Sequence, residues 1–441
     1  LSKLADKYLG DPMAYPAIVR ATNIKHFTDP TYAFILIPDI IEPGQKVWIP
    51  SADEAAKLLS PTKGAAYKIG FNSSATGTYA SLGLPEAKTA EMIQKQINAA
   101  GGVVGPDGVQ HDVKIIIYDD ENEADKAVSN VSRLILEDEV IVVVSSTGTG
   151  TSVAHIPVCQ ENEAACISMA SAKSITTDTT AGQEYKWMFK TPQTNGHAGE
   201  WQAAYLKAKG VSKVCILYTD DGYGKDCLAN FKATAQAAGL EVVYEAGYAK
   251  TDTEFSAQVA GAQASGCQAV EIGSTPPVAS LATVAVRTAM PDVILTLGHG
   301  VCNKPFIDTA GAAAEGTVFP CGKVTVIDKV PEGDPQRAVL AKYIKDYTAF
   351  TGGEPISTFG GHGWDGLMMS WQALSSLKEG MTLKEQRTAV RDYLENNIKN
   401  WPGISGTFIF SPTDHNGLTK DSLLFVKVVN GQWTMFPQSE W

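Results

Sequence analysis

The stretch from Tyr67 to Asp120 constrains the fold more than any other part of the chain. An apolar segment at Tyr67–Phe71 predicts a strand, and a short polar loop follows at 75–78. Apolar residues then recur at helical spacing as far as Gly101-Gly102, and a second buried strand is predicted at Val113–Tyr118. This order is a βαβ unit. In an open α/β sheet, the loop after the first strand leads into a helix start and is a preferred place for a bound molecule.

Strands and helices alternate in two series along the chain. The first series runs from Tyr67 to Phe189 and contains the apolar run Val140–Val144. The second starts at Val211–Tyr218 and continues through Glu241–Tyr244 and Ala269–Ile272. Strands that alternate with helices of this length predict parallel sheets with right-handed crossovers, and two series predict two lobes.

The C-terminal segment carries the signals of a β-hairpin. Thr407–Phe410 and Leu423–Val429 are apolar enough to form strands, and Asn430-Gly431 follows the second of them. Asn-Gly favours the two-residue turn that joins antiparallel strands. We therefore expect antiparallel pairing near the end of the chain.

Composition argues against nucleic-acid and membrane-spanning functions. The 441 residues include 36 basic and 48 acidic side chains, for a net charge of -12, without a Lys/Arg-rich run. Nucleic acid is therefore not an expected partner. No apolar run reaches the 18 residues that a transmembrane helix needs. Leu1-Ser2-Lys3-Leu4 is typical of a helix interior rather than of a signal peptide, so we expect the natural N terminus to lie upstream.

The seven cysteines argue against a zinc site and against a full disulfide framework. Their number is odd, and no paired CxxC spacing occurs. Cys215 and Cys267 lie among apolar or small residues, where buried free thiols are expected. Cys302 with Cys321, or Cys159 with Cys166, would form a disulfide in an oxidising compartment.

Four segments, in order along the chain, resemble the amino-acid-binding branch of the type I periplasmic binding proteins, the family of the leucine/isoleucine/valine-binding protein. They are Thr76-Gly77 with Gly83, Ile97-Asn98-Ala99-Ala100-Gly101-Gly102, Tyr118-Asp119-Asp120, and Asp221-Gly222-Tyr223-Gly224. The resemblance covers the chain from about Tyr67 to its end. It implies an α/β fold of two lobes, each with a parallel sheet flanked by helices, and a three-strand hinge between them.

In that family the chain crosses three times between the lobes. We place the crossings near Lys190, Cys321 and Gly406. Lobe I then comprises residues 67–189 and 321–405, and lobe II comprises residues 190–320 and 406–441.

Residues 1–50 resemble a different module, the LysM domain, which is a small α+β fold that binds N-acetylglucosamine-containing glycans. The specific part is Pro43-Gly44-Gln45-Lys46-Val47-Trp48-Ile49-Pro50, in which the Pro-Gly pair predicts a turn and Val47 and Ile49 alternate inward on a closing strand. The family's first strand is missing from the chain, and a spacer packed on the main body is the alternative. Residues 51–66 predict a linker with a short helix at Ala52–Leu59.

The loop Ser145–Thr151 is the strongest candidate for ligand contact. It follows the buried strand Val140–Val144 and leads into a helix, so hydroxyls and free backbone N–H groups meet there and suit a carboxylate. The resemblance implies Thr149 as a carboxylate contact, Ala170 and Ser171 as further contacts, and Tyr223 as the aromatic residue that closes over the ligand. For His299 and Trp364 in Gly-rich stretches, contact and packing are both open. The predicted ligand-binding set is Thr78, Tyr79, Ser146, Thr147, Thr149, Ala170, Ser171, Tyr223, Thr275, His299 and Trp364.

One departure from the family pattern bears on the ligand. The family's amino-acid binders pair the ligand ammonium with an acidic residue of lobe II, and Val278 occupies the matching position. A buried ammonium without a counter-charge is costly. An aromatic or aliphatic acid, or a neutral amide, therefore fits better than a free α-amino acid.

An α/β enzyme is the rival class, and the motifs disfavour it. Gly148 and Gly150 suggest a dinucleotide loop, but Val153 takes the place of its third glycine. No nucleophile elbow, Walker loop or zinc-protease motif occurs, so neither a catalytic residue nor a cofactor or metal is expected. Asp119-Asp120-Glu121 predicts a solvated turn rather than a metal site.

The resemblance implies a solute-binding protein in the periplasm or outside the cell. Its expected partners are a small-molecule ligand, the membrane permease of an ABC-type uptake system and, through the LysM-like module, peptidoglycan or another N-acetylglucosamine glycan. A ligand-sensing receptor of the same fold is the alternative.

Overall fold

A five-stranded parallel sheet forms the centre of lobe I. The computed structural model describes residues 1–41 and 43–441, and in it every strand pair of this sheet is parallel. The strands in spatial order are Val113–Asp119, Tyr67–Ser73, Val142–Ser145, Ala165–Ser168 and Met188–Lys190. The three inner strands are almost wholly buried, as expected for a parallel sheet covered on both faces.

Helices cover both faces of this sheet. Phe71, Val144 and Ile167 belong to the core on one face, together with Leu367 of a long buried helix. Val143 lies on the opposite face, in a second cluster formed with the neighbouring helix. The main helices of lobe I are Ala80–Ala99, Ala124–Leu136, Thr149–Ala154, Ile156–Glu161, Arg337–Thr351, Thr358–Leu374 and Leu383–Asn397.

A seven-stranded mixed sheet forms the centre of lobe II. Its first five strands are parallel and its last two are antiparallel. Asn430 and Gly431 both have positive φ, 53° and 69°, which a tight hairpin turn requires. In spatial order the strands are Glu241–Tyr248, Lys213–Thr219, Ala269–Gly273, Ile294–Leu297, Val318–Gly322, Leu423–Val429 and Gln432–Met435.

Lobe II has its own helices and its own core. Apolar residues form one cluster on each face of its sheet, and the two clusters share no residue with the core of lobe I except the half-buried Leu424. The helices are Asn195–Ala208, Gly222–Ala238, Ser256–Ser265, Val278–Ala289 and Lys304–Ala310. The predicted α/β class, with parallel sheets flanked by helices, is confirmed.

The third crossing between lobes lies beyond the position predicted from the sequence. The prediction put it near Gly406, but Phe408 and Phe410 are buried in the core of lobe I. Thr407–Ile409 pairs with Lys399–Pro402 as a separate hairpin, and the chain joins the sheet of lobe II only at Leu423. The apolar side chains that predicted a strand of lobe II therefore fill lobe I instead.

The N-terminal region contains two helices but not the closing strand that was predicted. Ser2–Leu9 and Tyr15–His26 are helices, and Val47 and Ile49 pack on their small core. The prediction of a strand at Val47–Ile49 is wrong, because within residues 1–41 and 43–50 no strand forms. The N–H of Trp48 instead donates to the Thr22 hydroxyl, 3.0 Å away. Glu42, in the segment that carries the LysM resemblance, lies outside the described residues.

The segment before lobe I contains the predicted short helix. Ala52–Leu59 is an α-helix, and Ser51 and Glu54 form a capping box at its start. No helix in the described part of the chain combines the length and apolar character needed to cross a bilayer.

Three disulfides form, and one of them corrects the sequence prediction. Cys159–Cys166 and Cys302–Cys321 are the two pairs considered from the sequence, and both are present. The expectation of free thiols at Cys215 and Cys267 is wrong, since these residues form the third pair. Cys215 lies on the strand Lys213–Thr219, and Cys267 lies two residues before the neighbouring strand Ala269–Gly273, which brings the two Cα atoms to 5.8 Å. Cys227 is a buried free thiol.

Arg387 fixes the segment that leads into the predicted ligand loop. Its guanidinium is buried and donates to the carbonyl oxygens of Ile135 and Val140, at 2.7 and 2.9 Å. Val140 lies two residues before the strand Val142–Ser145. The arginine therefore anchors this strand to the helix Leu383–Asn397, which comes from the far end of lobe I.

We predict that Arg387→Met lowers the free energy of unfolding by about 2–3 kcal/mol, because two buried carbonyls lose a charged donor. Lys384→Met is the matched control on the same helix, since Lys384 is exposed and its ion pair with Glu163 lies at the surface. Urea unfolding followed by circular dichroism measures both changes. Equal destabilisation by the two substitutions would contradict the anchoring role.

Candidate functional site

A cavity lies between the two lobes, beside loops that follow sheet strands. It encloses about 390 Å³ of space outside the protein atoms, part of it open to solvent. Its lining comes from both lobes and from the hinge: Tyr79, Leu82, Thr147, Gly148, Thr149, Met169, Ala170, Ser171, Pro192, Tyr223, Thr275, His299, Gly300, Phe359 and His362.

Most residues of the predicted ligand-binding set meet at this cavity. They lie in loops or helix starts that are far apart in sequence. Each of these follows one of the strands Tyr67–Ser73, Val142–Ser145, Ala165–Ser168, Lys213–Thr219, Ala269–Gly273 and Ile294–Leu297. Convergence of such loops is the expected consequence of two parallel sheets that face each other. The predicted residues that line the cavity are Tyr79, Thr147, Thr149, Ala170, Ser171, Tyr223, Thr275 and His299.

Three residues of the predicted set do not line the cavity. The Thr78 hydroxyl accepts a hydrogen bond from Asn122. Ser146 is buried below the loop and accepts a hydrogen bond from Asn72. Trp364 packs in the core of lobe I, so for this residue the packing alternative holds.

Several lining residues that lie on helices were not predicted from the sequence. Phe359 and His362 are three residues apart at the start of the helix Thr358–Leu374, so they share one face of it, and that face meets the cavity. Trp364 is two residues further on and points elsewhere. Leu82 stands three residues after Tyr79, and the same spacing could have identified it. The other missed residues are Gly148, Met169, Pro192 and Gly300.

Thr149 presents an unused hydroxyl at the cavity. Its Oγ1 atom is buried and has no hydrogen-bond partner within the protein. Thr149 also begins the helix Thr149–Ala154, and Gly148 at the cap position offers no side chain to the first-turn N–H groups. Hydroxyl and N–H donors are therefore available to an oxygen-rich ligand group at this point.

The neighbouring hydroxyl of Thr147 is already engaged. It donates to the carboxyl of Glu86 and accepts from the N–H of Ser74 at 2.8 Å. Glu86 is fully buried, and burial, followed by the negative charge of Asp120, raises its pKa well above the usual range. Burial therefore disfavours the charged form of Glu86, whose carboxyl supports the loop by accepting the hydrogen bond from Thr147.

A hydrogen bond joins the lobes at one side of the cavity. The Tyr79 hydroxyl, from lobe I, donates to Asp221 Oδ2 of lobe II at 2.8 Å. The other carboxylate oxygen of Asp221 accepts from the N–H of Gly224 at 2.9 Å at the start of a helix. Both oxygens of Asp221 are thus committed.

Tyr223 is also held in place at the cavity. Its hydroxyl accepts a hydrogen bond from the N–H of Gly300 at 3.0 Å. A side chain at Gly300 would collide with this ring, so glycine is required there. The contact fixes Tyr223 against the loop that carries His299.

No Asp, Glu, Lys or Arg belongs to the described lining of the cavity. Val278, which aligns with the acidic residue of the family, starts a helix outside the lining. Burial lowers the pKa of both His299 and His362 to about 3, so both rings are neutral. Lys190 lies behind the lining and donates to the carbonyls of Ser171 and Pro192 at 2.9 and 2.8 Å.

The acidic turn after the second predicted strand is partly buried. Asp120 is inaccessible to solvent and accepts hydrogen bonds from Asn72 and Ser74, at 2.8 and 2.6 Å. The prediction of a solvated turn is therefore wrong for this residue. Its carboxylate faces the polar ends of neighbouring strands, which the local sequence did not reveal.

Metal-ligand geometry is confined to one group in the described part of the chain. His155, Cys159 and Cys166 place possible ligand atoms within 4.8 Å of one another. The two cysteines are joined in a disulfide, and their sulfurs are therefore not thiolate ligands.

The comparisons with known proteins agree with this architecture. The profile of a family described as periplasmic binding protein matches residues 66–432. A Leu/Ile/Val-binding protein homolog from Brucella melitensis is 29% identical over 60% of this chain and 73% of its own length. An amino acid binding protein from Pseudomonas aeruginosa is 27% identical over 62% and 75%, respectively.

Solved structures lead to the same family. The crystal structure of an extracellular ligand-binding receptor from Rhodopseudomonas palustris HaA2 superposes with a TM-score of 0.77 at 27% identity, covering 84% of this chain and 99% of that one. Two facing α/β lobes, a cavity between them and a profile match over most of the chain place this protein in the type I periplasmic binding protein family.

Proposed function

We propose that this protein is an extracytoplasmic solute-binding protein that captures a small carboxylate-bearing ligand without an ammonium group. Its ligand is an aromatic or aliphatic acid, and the protein delivers it to the permease of an ABC-type uptake system. Capture proceeds by closure of the lobes about the hinge. Relatives include proteins described as binding leucine, isoleucine and valine, so the proposal keeps the family's function and changes the ligand class.

One observation carries the choice of ligand. The cavity offers an unpaired hydroxyl at Thr149 beside a helix start, while no acidic residue belongs to its described lining. The two nearby carboxyl groups do not change this. Asp221 accepts hydrogen bonds from Tyr79 and Gly224, and burial disfavours the charged form of Glu86. A ligand carboxylate therefore finds donors, whereas a ligand ammonium would lack a counter-charge.

The disulfides support an extracytoplasmic location. Three pairs occur in the described residues, and bonds of this kind persist in oxidising compartments.

Two-lobed closure gives the permease a shape that depends on ligand, which is what selective uptake requires. Capture of the purified permease by the closed form would support uptake, whereas capture of a signalling partner alone would favour the receptor alternative.

A ligand screen tests the proposal. We expect carboxylic acids without an amine to raise the thermal midpoint of the protein more than the α-amino acids of the same skeleton, and calorimetry should rank them in the same order. Pairs such as 4-methylpentanoate with leucine, and 3-phenylpropionate with phenylalanine, differ mainly in the ammonium group. Tight binding of leucine would count against the proposal.

We predict that Thr149→Val weakens binding of the best acid from that screen by about 10- to 100-fold, because the carboxylate loses a buried donor. Valine preserves the shape of the threonine side chain. Thr388→Val is the control, since Thr388 is only half-buried, lies away from the cavity, and donates its hydroxyl hydrogen bond to Lys384 of its own helix. Unchanged affinity in Thr149→Val would remove this contact from the account.

We predict that Tyr79→Phe lowers the affinity for the same acid by about 10-fold, because the lobes lose a hydrogen bond to a carboxylate. Tyr118→Phe is the matched control, since that hydroxyl donates to Asp138 at 2.7 Å within lobe I. Small-angle scattering should show a larger radius of gyration for Tyr79→Phe at subsaturating ligand. Equal behaviour of the two variants would argue that the bond between the lobes does not stabilise closure.

Glycan attachment through residues 1–50 completes the proposal. An aromatic pair supports it, since the exposed Trp48 and the half-buried Tyr32 lie edge to face at 5.8 Å in this region. Cosedimentation of the whole protein with peptidoglycan tests the attachment. We expect Trp48→Ala to reduce pelleting and the exposed control Leu136→Ala in lobe I to leave it unchanged. Absence of pelleting by the unmodified protein would favour the spacer alternative.

A further inference from the structure

His299 carries a second buried polar atom at the cavity that has no hydrogen-bond partner within the protein. It starts the 3-10 turn His299–Val301 in lobe II and is only 7% exposed. Its Nδ1 atom is buried and makes no hydrogen bond within the protein. Buried polar atoms of side chains are nearly always hydrogen-bonded. An unpaired one on a residue that lines a ligand cavity indicates that the ligand supplies the partner.

The state of the ring limits what this partner can be. His299 is neutral, because burial and the positive charge of Lys190 both lower its pKa. A neutral imidazole has one N–H donor and one acceptor nitrogen. A hydroxyl group can either donate or accept, so it pairs with the ring in either tautomer. An ammonium group would find no carboxylate in the described lining.

The two unpaired groups lie on opposite lobes. Thr149 belongs to lobe I and His299 to lobe II. The lining of the same cavity also includes the rings of Tyr79, Tyr223 and Phe359. A ligand that satisfies both groups therefore carries a polar group at each end, and flat aromatic walls favour a ring between the ends.

We propose that the ligand is a hydroxyl-bearing aromatic carboxylic acid, whose carboxylate meets Thr149 and whose hydroxyl hydrogen-bonds to His299. His299 is then the residue that selects hydroxylated ligands over their unsubstituted counterparts. This inference rests on the proposed function, because it assumes that Thr149 holds the carboxylate. It adds the second polar end of the ligand and the residue that recognises it.

Matched acids measure this selection directly. Calorimetry with the whole protein compares 4-hydroxybenzoate with benzoate, and 3-(4-hydroxyphenyl)propionate with 3-phenylpropionate. In the better-binding pair we expect the hydroxylated acid to bind about 10- to 100-fold more tightly, because the other acid leaves a buried polar atom of the site unpaired. Terephthalate, with a second carboxylate in place of the hydroxyl, should bind more weakly than 4-hydroxybenzoate.

Three variants separate the ends of the ligand. His299→Phe should reduce the preference for the hydroxylated acid to about 1, and His299→Gln should restore part of it through a side-chain amide. Thr149→Val should weaken both members of a pair and leave their ratio unchanged. Circular dichroism and the thermal midpoint show whether each variant is folded. The affinity ratio of the hydroxylated to the unsubstituted acid in the unmodified protein tests the hydroxyl preference even if a variant fails to fold.

The outcomes distinguish this inference from the function on which it rests. Equal or tighter binding of the unsubstituted acids, or tighter binding of terephthalate, overturns the role of His299 while leaving a carboxylate-binding protein. A hydroxyl preference that survives in His299→Phe also overturns it. Failure of every acid to bind, with tight binding of amino acids, overturns both.

Discussion

The buried carboxylate of Asp120 organises the side of lobe I that faces the cavity. It accepts hydrogen bonds from Asn72 and Ser74 and from the N–H of Asn122. These groups lie at the ends of two adjacent strands, and Asn72 also donates to Ser145 and Ser146 at the end of a third. A buried polar network stabilises a single arrangement only when its members are paired. Because this one is, the loop that carries Thr147 and Thr149 has a fixed position before any ligand arrives.

The polar groups above this network are divided between structure and binding. Some of these groups form hydrogen bonds within the protein and shape the cavity, namely Thr147, Asp221 and Tyr223. Thr149 and His299 retain unpaired buried atoms. The distinction matters because residue type alone does not separate them, since Thr147 and Thr149 have the same side chain two residues apart. The two unpaired atoms give the proposed ligand one polar contact on each lobe, in a cavity that is also lined by aromatic rings.

The sequence allowed prediction of local structure and of loop positions better than of distant contacts. The βαβ unit and the hairpin turn at Asn430-Gly431 follow from periodicity and turn chemistry, and the structure contains both. Loops after parallel strands converge by topology, which explains why most predicted site residues reach one cavity. Phe359 and His362 could not be placed this way, because they come from a helix that returns to lobe I late in the chain.

The remaining errors have a common cause in packing between segments far apart in sequence. Phe408 and Phe410 have the pattern of a strand of lobe II, yet their rings complete the core of lobe I. Cys215 and Cys267 look like isolated apolar thiols until strand pairing brings them together. The turn before Val47 suggested a closing strand, but Thr22 on a neighbouring helix takes the hydrogen bond of Trp48. Sequence periodicity reports which side chains are apolar, not which core they join.

A crystal structure of the protein with its tightest-binding acid tests whether Thr149 holds the ligand carboxylate. We expect ligand density between the lobes, with a carboxylate oxygen within hydrogen-bond distance of Thr149 Oγ1 and of the first N–H groups of the helix that Thr149 begins. A ligand bound outside this crevice, or one whose ammonium group is paired with a carboxylate of lobe II, would contradict it.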